Sequence, residues 1–253
     1  MNKIIAGGCS FTDKHFPKFA NVDEPLDFKM WPEVIGEKLD CKVINTGKCG
    51  FGNHAIYHTT LNAIMNNKVD HVFVMWSEWT RQDFLIDNLG SPTRMSHDIV
   101  GSNYLSVHPF SRTIKEGDAQ RWYNDSFSKN FPHKHVDSKY FTASIPNIKQ
   151  LIDTNINYIY SMQVICEKLN IGYTACQAMD TGILASLLIK HPHLEYIKNF
   201  HGWPIDKKLG GFTMVDLLRE KYDKSFKVSE FDSHPNEIGH KFIGNKMMEY
   251  ANV

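Results

Sequence analysis

The sequence predicts an α/β fold built on an open, mostly parallel β-sheet. Short apolar runs alternate with amphipathic segments through the first half of the chain, which is typical of crossover units that join parallel strands through a helix. Regular pattern returns at Pro146, after a polar stretch at about 82–145, and continues to a last helix near the C-terminus. The length of 253 residues allows one large domain or two small ones.

Three strands and two helices are predicted in the first half of the chain. The strands are short apolar runs, and Pro32 is suited to the first turn of a helix. The apolar face of the second helix is predicted to contain Ile56, Leu61, Ile64 and Met65. In chain order the elements are the strand Lys3–Gly7, a helix from Trp31 to about Leu39, the strand Cys41–Asn45, the helix Asn53–Asn67 and the strand Val69–Met75.

The stretch at about 82–145 is rich in polar residues but keeps aromatic residues, which disordered chains lack, so we expect a loop-rich insertion that shapes the substrate pocket. Apolar residues at helical spacing then predict a long helix to about Leu169. A fourth strand (Tyr173–Gln177), a helix at 181–190 and an irregular stretch at 191–230 follow. The last helix, from about Asn236, is predicted to bury Ile238, Phe242, Ile243, Met247 and Tyr250.

The composition argues against several functions. Lys and Arg total 28, and Asp and Glu also total 28, so net charge gives no reason to expect a nucleic-acid or membrane partner. The five cysteines include no Cys-x-x-Cys pair, which argues against a zinc or redox site, and we expect neither a metal nor a cofactor. No signal peptide or membrane span is predicted, so we expect a cytoplasmic protein. The oligomeric state stays open.

Three motifs stand at connections between predicted elements. Ser10 lies in Gly7–Asp13, after the first strand, where ligands bind open parallel sheets. The segment Asn45–Asn53 contains three glycines whose free N–H groups suit an anion, although it matches no nucleotide-binding motif. Near the C-terminus, Asp232 and His234 fit a general base with an orienting carboxylate. Each motif also has a purely structural interpretation. Ser10 could cap the next segment, Asn45–Asn53 could be a tight turn with Asn53 as helix cap, and the segment around His234 could be a helix start.

Taken in order, the motifs resemble those of the SGNH (GDSL-type) hydrolase family. The stretch Gly8–Thr12 resembles the first block, Asn45–Gly50 matches the Asn-x-Gly-x-x-Gly second block, and Asp232–Asn236 resembles the last, Asp-x-x-His-Pro. The resemblance covers residues 1–81 and about 228–250. It implies a flavodoxin-like three-layer α/β/α sandwich with a mostly parallel sheet, and a single domain over residues 1–253. The Gly-x-Ser-x-Gly elbow of the α/β-hydrolases is absent around Ser10.

The resemblance also implies the roles of the site residues. Ser10 is expected to attack an ester carbonyl, His234 to accept and return its proton, and Asp232 to hold the imidazole. The backbone N–H groups of Ser10 and Gly50 are expected to form the oxyanion hole. In the family the aspartate stands three residues before the histidine, where this chain has Phe231, so the carboxylate of Asp232 must act one residue closer.

A second departure concerns the third oxyanion donor. The family's third block usually reads Gly-x-Asn-Asp, but here Glu78 falls near the asparagine, and an ionised carboxylate cannot donate a hydrogen bond. The candidates for a replacement donor or a substrate contact are Asn53, Ser77, Glu78, Thr80 and Arg81.

The sequence therefore predicts a serine esterase that acts on small acyl esters, with a small-molecule or glycan substrate and carbohydrate O-acetyl esters among the candidates. Two alternatives stay open. One is a non-catalytic glycan-binding or virion-associated module with a degraded site, which the substitution by Glu78 favours. The other is an O-acyltransferase that uses the same residues to transfer the acyl group to an alcohol.

Overall fold

A computed structural model describes residues 1–16, 26–79, 81–85, 104–107, 148–179, 188–205 and 207–253. The strands are β1 (Lys3–Gly7), β2 (Lys42–Asn45), β3 (His71–Trp76), β4 (Gln82–Leu85), β5 (Tyr104–Val107), β6 (Gly172–Gln177) and β7 (Phe200–His201). The helices are α1 (Trp31–Lys38), α2 (Asn53–Asn66), α3 (Ile148–Lys168), α4 (Met214–Tyr222) and α5 (Glu237–Ala251).

The central sheet has five parallel strands in the order β2-β1-β3-β6-β7. The middle residue of β1, Ile5, pairs with Ile44 of β2 on one side and with Val72 of β3 on the other. This is the flavodoxin-like strand order, and it reverses direction at β1. The reversal opens a crevice at the carboxyl ends of β1 and β3, where a ligand can bind. Separately, β4 and β5 pair as an antiparallel ribbon.

Helices cover both faces of the sheet. Crossovers between parallel strands are right-handed, so the reversal at β1 places α1 on one face and α2 and α3 on the other. The contacts agree, because α1 packs against α5 whereas α2 packs against α3. The predicted three-layer α/β/α sandwich with a parallel sheet is therefore confirmed. The single-domain prediction stays a prediction, since most of the insertion at about 82–145 lies outside the described residues.

The strands in the middle of the sheet form the core. In β1 the residues Ile4, Ile5 and Ala6 are fully buried, and every residue of β3 is buried, as expected for strands covered on both faces. The fully buried indole of Trp31, at the start of α1, donates to Oγ1 of Thr12 at 3.2 Å. The hydrogen bond ties the first helix to the loop that follows β1.

Some predictions made from helical spacing were wrong. Met65, placed on the apolar face of α2, is 69% exposed, and Ile238, placed on the inner face of the last helix, is 50% exposed. The stretch 191–230 was predicted to be irregular, yet it contains β7 and α4. Residues 181–187, most of a further predicted helix, lie outside the described residues.

The burial of β1 leads to a stability prediction. We expect Ile5→Ala to lower the free energy of unfolding by about 2–5 kcal/mol, because it removes a fully buried side chain between two layers of helices. Met65→Ala is the matched control and should change the free energy by less than about 0.5 kcal/mol. Chemical denaturation measures both. Equal losses for the two variants would contradict the assignment of the core.

Candidate active site

The loop after β1 brings Ser10 to the crevice at the carboxyl edge of the sheet. The carbonyl of Cys9 accepts the N–H groups of Thr12 at 2.9 Å and Asp13 at 3.1 Å, which turns the chain sharply. A Cβ on Gly8 would lie 2.0 Å from Oγ1 of Thr12, so this turn requires glycine. Ser10 itself is only 3% exposed. Its hydroxyl therefore lies in an enclosed position and is not the cap of an exposed helix.

Ser10, His234 and Asp232 form a continuous hydrogen-bonded chain. Nε2 of His234 lies 2.8 Å from Oγ of Ser10, and Nδ1 lies 2.6 Å from Oδ1 of Asp232. A carboxylate can only accept, so Nδ1 carries the proton and donates, and Nε2 is left to accept the hydroxyl proton of Ser10. This is the protonation state that a general base needs at the start of a reaction.

The one-residue change in spacing before His234 is absorbed by the loop. Oδ1 of Asp232 also accepts the backbone N–H of His234 at 3.0 Å, and Oγ of Ser229 accepts the backbone N–H of Asp232 at 3.0 Å. Phe231, which stands where the family usually has its aspartate, is 85% exposed. The geometry thus brings Asp232 to the imidazole, while its catalytic role stays a prediction.

Aromatic side chains surround the imidazole of His234. The ring centroid of Phe16 lies 4.1 Å from that of His234, and Phe11 approaches edge-on at 5.3 Å. Burial lowers the pKa of His234 below its ordinary value, and the hydrogen bond and charge of Asp232 partly oppose this effect. At neutral pH the imidazole is therefore neutral and able to accept a proton.

We call residues Gly47–Gly52 the glycine loop. Asn45 connects this loop to the loop that carries Ser10. Its side-chain amide donates to the carbonyl of Thr12 at 2.6 Å, and its Oδ1 accepts the N–H of Gly47 at 2.9 Å. Gly50 has a φ of 87°, which favours glycine. Within the part of the chain that the structure describes, the backbone N–H groups of Ser10 and Gly50 donate no hydrogen bond. Both N–H groups are therefore free to donate a hydrogen bond to an oxyanion.

The candidates for the third oxyanion donor differ in the hydrogen bonds that they already make. Both N–H groups of the Asn53 amide are used within the protein, by the carbonyl of Ser77 at 3.3 Å and by Oδ1 of Asn155 at 2.5 Å. The amide donors of Asn53, one of the five candidates, are therefore already engaged within the protein, and its role stays a prediction. Oγ of Ser77 is buried and has no hydrogen-bond partner among the described residues. Thr80 lies outside the described residues.

Glu78 is paired with Arg81 rather than left as an isolated charge. Nε of Arg81 donates to Oε2 of Glu78 at 3.0 Å, and Nη1 donates to the carbonyl of Phe51 in the glycine loop at 3.1 Å. The side chain of Arg81 is 10% exposed. The guanidinium therefore connects the segment after β3 with the glycine loop.

Two buried amides that were not predicted from the sequence support the segment after β3. Asn155 on α3 donates to the carbonyl of Trp79 at 2.9 Å, and Gln177 at the end of β6 donates to the carbonyl of Ser77 at 2.9 Å. A signal was present, because Asn155 follows Leu151 at helical spacing and is therefore a polar residue on the apolar face of α3.

Within the described ranges, no three His, Cys, Asp or Glu side chains come together in a way that could hold a metal ion. None of the helices described by the structure is long and apolar enough to cross a membrane.

Together, the fold and the site define an α/β protein with a hydrogen-bonded Ser-His-Asp triad at the carboxyl edge of a parallel sheet. The strand order and the triad have the arrangement that the SGNH resemblance implies. No protein-family model and no curated protein matches the chain.

Several solved structures match the chain over almost its whole length, at low identity. One, named as a lipolytic protein of the G-D-S-L family from Desulfitobacterium hafniense DCB-2, is 15% identical, covers 99% of this chain and 98% of its own, and has a TM-score of 0.46. An acetylxylan esterase from Geobacillus stearothermophilus is 15% identical, with coverages of 100% and 94% and a TM-score of 0.46. Another acetyl xylan esterase is 12% identical, with 98% of both chains covered and a TM-score of 0.45.

The surroundings of His234 lead to a prediction about its pKa. Phe16→Ala admits water to the imidazole and should raise the pKa, whereas Asp232→Asn removes the stabilising carboxylate and should lower it. Titration followed by NMR measures the pKa, with His234→Gln assigning the signal. Phe28→Ala is the matched control, because that ring packs against His240 at 5.6 Å instead. A pKa of His234 that is insensitive to Phe16→Ala would contradict the role given to burial.

Proposed function

We propose that the chain is a serine hydrolase that cleaves small acyl esters, and the hydrogen-bonded chain from Ser10 through His234 to Asp232 is the observation that carries the proposal. Oγ of Ser10 attacks the ester carbonyl while its proton passes to Nε2 of His234. The bond to the alcohol oxygen then breaks, and the imidazolium returns the proton to the departing alcohol. A water molecule repeats both steps on the acyl-enzyme and releases a carboxylic acid.

Asp232 and two backbone donors complete the mechanism that we propose. Asp232 holds the tautomer with Nδ1 protonated and stabilises the imidazolium that forms when His234 accepts the proton. The tetrahedral intermediate carries a negative charge on the former carbonyl oxygen. The N–H groups of Ser10 and Gly50 are the donors proposed for that oxygen, since both lack partners among the described residues.

The enclosure of Ser10 favours a small acyl group such as acetyl, because a nucleophile that is 3% exposed leaves little room for a long chain. For the alcohol part we propose a carbohydrate, which is what the SGNH resemblance implies. A second candidate function, glycan binding without catalysis, is favoured by the carboxylate of Glu78 at a position where the family has a donor. The pairing of Glu78 with Arg81 at 3.0 Å weakens that candidate, because the charge is compensated.

The nucleophile can be tested directly. Native protein should react with a fluorophosphonate probe at Ser10 and hydrolyse p-nitrophenyl acetate, and Ser10→Ala should lose labelling and lower kcat/KM by about 10⁴-fold or more. Ser225→Ala is the matched control, since that hydroxyl is exposed and only donates to the carbonyl of Tyr222. It should retain both activities.

Other outcomes distinguish the alternatives. If the native chain neither labels nor exceeds the turnover of Ser10→Ala on a panel of acetylated sugars, the proposal fails. Glycan binding that survives Ser10→Ala would then favour the non-catalytic module. Esters formed from added sugar acceptors, rather than free acetate, would indicate an O-acyltransferase.

The pH dependence follows from the pKa of His234. Only neutral His234 accepts a proton, so kcat/KM should fall as the pH drops through the pKa of this residue. Burial lowers the pKa, so the midpoint of the fall should lie below about 6.5, the ordinary value for histidine. A pH–rate profile for a neutral ester measures the midpoint. A midpoint above the ordinary value would speak against a partly buried His234 as the base.

A further inference from the structure

Asp83, on β4, holds the end of the glycine loop where α2 begins. Its Oδ1 accepts the N–H of Gly52 at 2.9 Å, and its Oδ2 accepts the N–H of Ala55 at 2.8 Å. The first backbone N–H groups of a helix have no carbonyl acceptor within the helix. The cap residue Gly52 has no side chain that could accept a hydrogen bond from them. A Cβ at Gly52 would lie 2.7 Å from both carboxylate oxygens. Glycine therefore makes room for a cap that comes from another element.

Arg81, which precedes Asp83 by two residues in the sequence, holds the same glycine loop at Phe51. Its hydrogen bond to the carbonyl of Phe51 fixes the residue next to Gly50, while its ion pair with Glu78 fixes the guanidinium itself. Because Arg81 is largely buried, water screens these charge-assisted bonds only weakly. By the SGNH resemblance, the two segments that Arg81 joins are the ones that carry the second and third oxyanion donors in that family.

We propose that Arg81 and Asp83 form a clamp, which keeps the N–H of Gly50 directed at the oxyanion and compensates for the absent asparagine by rigidity. Both are positioning residues, and the inference rests on the hydrolase function proposed above. The opposite side of Gly50 is held as well, because Oδ2 of Asp13 accepts the N–H of Cys49 at 2.9 Å. The residues on both sides of Gly50, Cys49 and Phe51, are thus each held by a charged side chain from outside the glycine loop.

The magnitude expected for such a clamp follows from what a single donor contributes. Removing one oxyanion donor costs about 100- to 1000-fold in rate. A loop that loses one anchor still samples the productive orientation for part of the time, so the loss should be smaller than that. The effect should fall on kcat, because the oxyanion forms only in the transition state, whereas KM should change little.

Three variants test the clamp. Asp83→Ala should lower kcat for p-nitrophenyl acetate by about tenfold or more while KM changes by less than about threefold, and the fluorophosphonate labelling rate should fall in parallel. Asp83→Asn keeps one acceptor oxygen and should recover part of the loss. Arg81→Lys keeps the charge but loses the two-point geometry, so it should also lower kcat.

Hydrogen–deuterium exchange provides a readout that does not depend on activity. In Asp83→Ala, the amides of residues 47–52 should exchange faster than in the native chain. Asp70→Ala is the matched control, since Oδ2 of Asp70 also accepts two backbone N–H groups, from Asn2 at 2.6 Å and Lys3 at 3.1 Å, but at the amino end of β1. It should leave kcat, labelling and exchange of the glycine loop unchanged.

The outcomes separate this inference from the proposed function. A native chain that neither labels nor hydrolyses would reject the hydrolase function and, with it, a catalytic clamp. A native chain that labels normally, together with Asp83→Ala at native kcat and native exchange, would reject the clamp alone. A raised KM with unchanged kcat would reject positioning and indicate substrate contact. If Asp83→Ala does not fold, Asp83→Asn and Arg81→Lys, which preserve size, decide the question by the same measurements.

Discussion

The position of the whole site depends on the way the chain leaves β1 between its two parallel neighbours. β1 is buried and paired on both sides, so its carboxyl end cannot shift without breaking two ladders. The exit is narrow, because a Cβ on Gly8 would meet the carbonyl oxygen of Met75 at 3.1 Å as well as Thr12. Only a glycine-rich turn fits there, and this turn delivers Ser10 to the crevice. The base arrives from the far end of the chain, because His234 lies just before α5, and α5 packs against α1 and β6.

Buried amides rather than apolar packing hold the segment that follows β3. Three side-chain amides from different elements form hydrogen bonds with backbone groups of Ser77 and Trp79 in that segment. They are those of Asn53, Asn155 and Gln177. Leaving such groups unsatisfied in the interior costs about 1–3 kcal/mol each, so the network specifies one arrangement of the segment. Loops fastened in this way need little reorganisation during a reaction, which is what electrostatic stabilisation of a transition state requires.

Much of this could be predicted from the sequence, and the errors have physical causes. The bounds of β1 and the start of α1 were predicted correctly, since apolar runs and Pro32 are local signals. Helical spacing does not define how wide the buried face is, so Met65 and Ile238 were placed inside. α4 was missed although Thr213 and Asp216 form a capping box at its start, because nearby glycines suggested a loop. The clamp and the amide network join residues far apart in the sequence, and no local pattern reports such contacts.

The charge of Glu78 shows why the clamp bears on electrostatics as well as on geometry. An unpaired carboxylate near an oxyanion would repel it and so oppose the stabilisation that the backbone donors provide. The guanidinium of Arg81, paired with Glu78 at 3.0 Å, places a compensating positive charge beside this carboxylate. The same guanidinium then holds the glycine loop through Phe51. If Glu78 stands near the family's asparagine, as the resemblance implies, we expect the proposed catalysis to require that Arg81 is also kept in place.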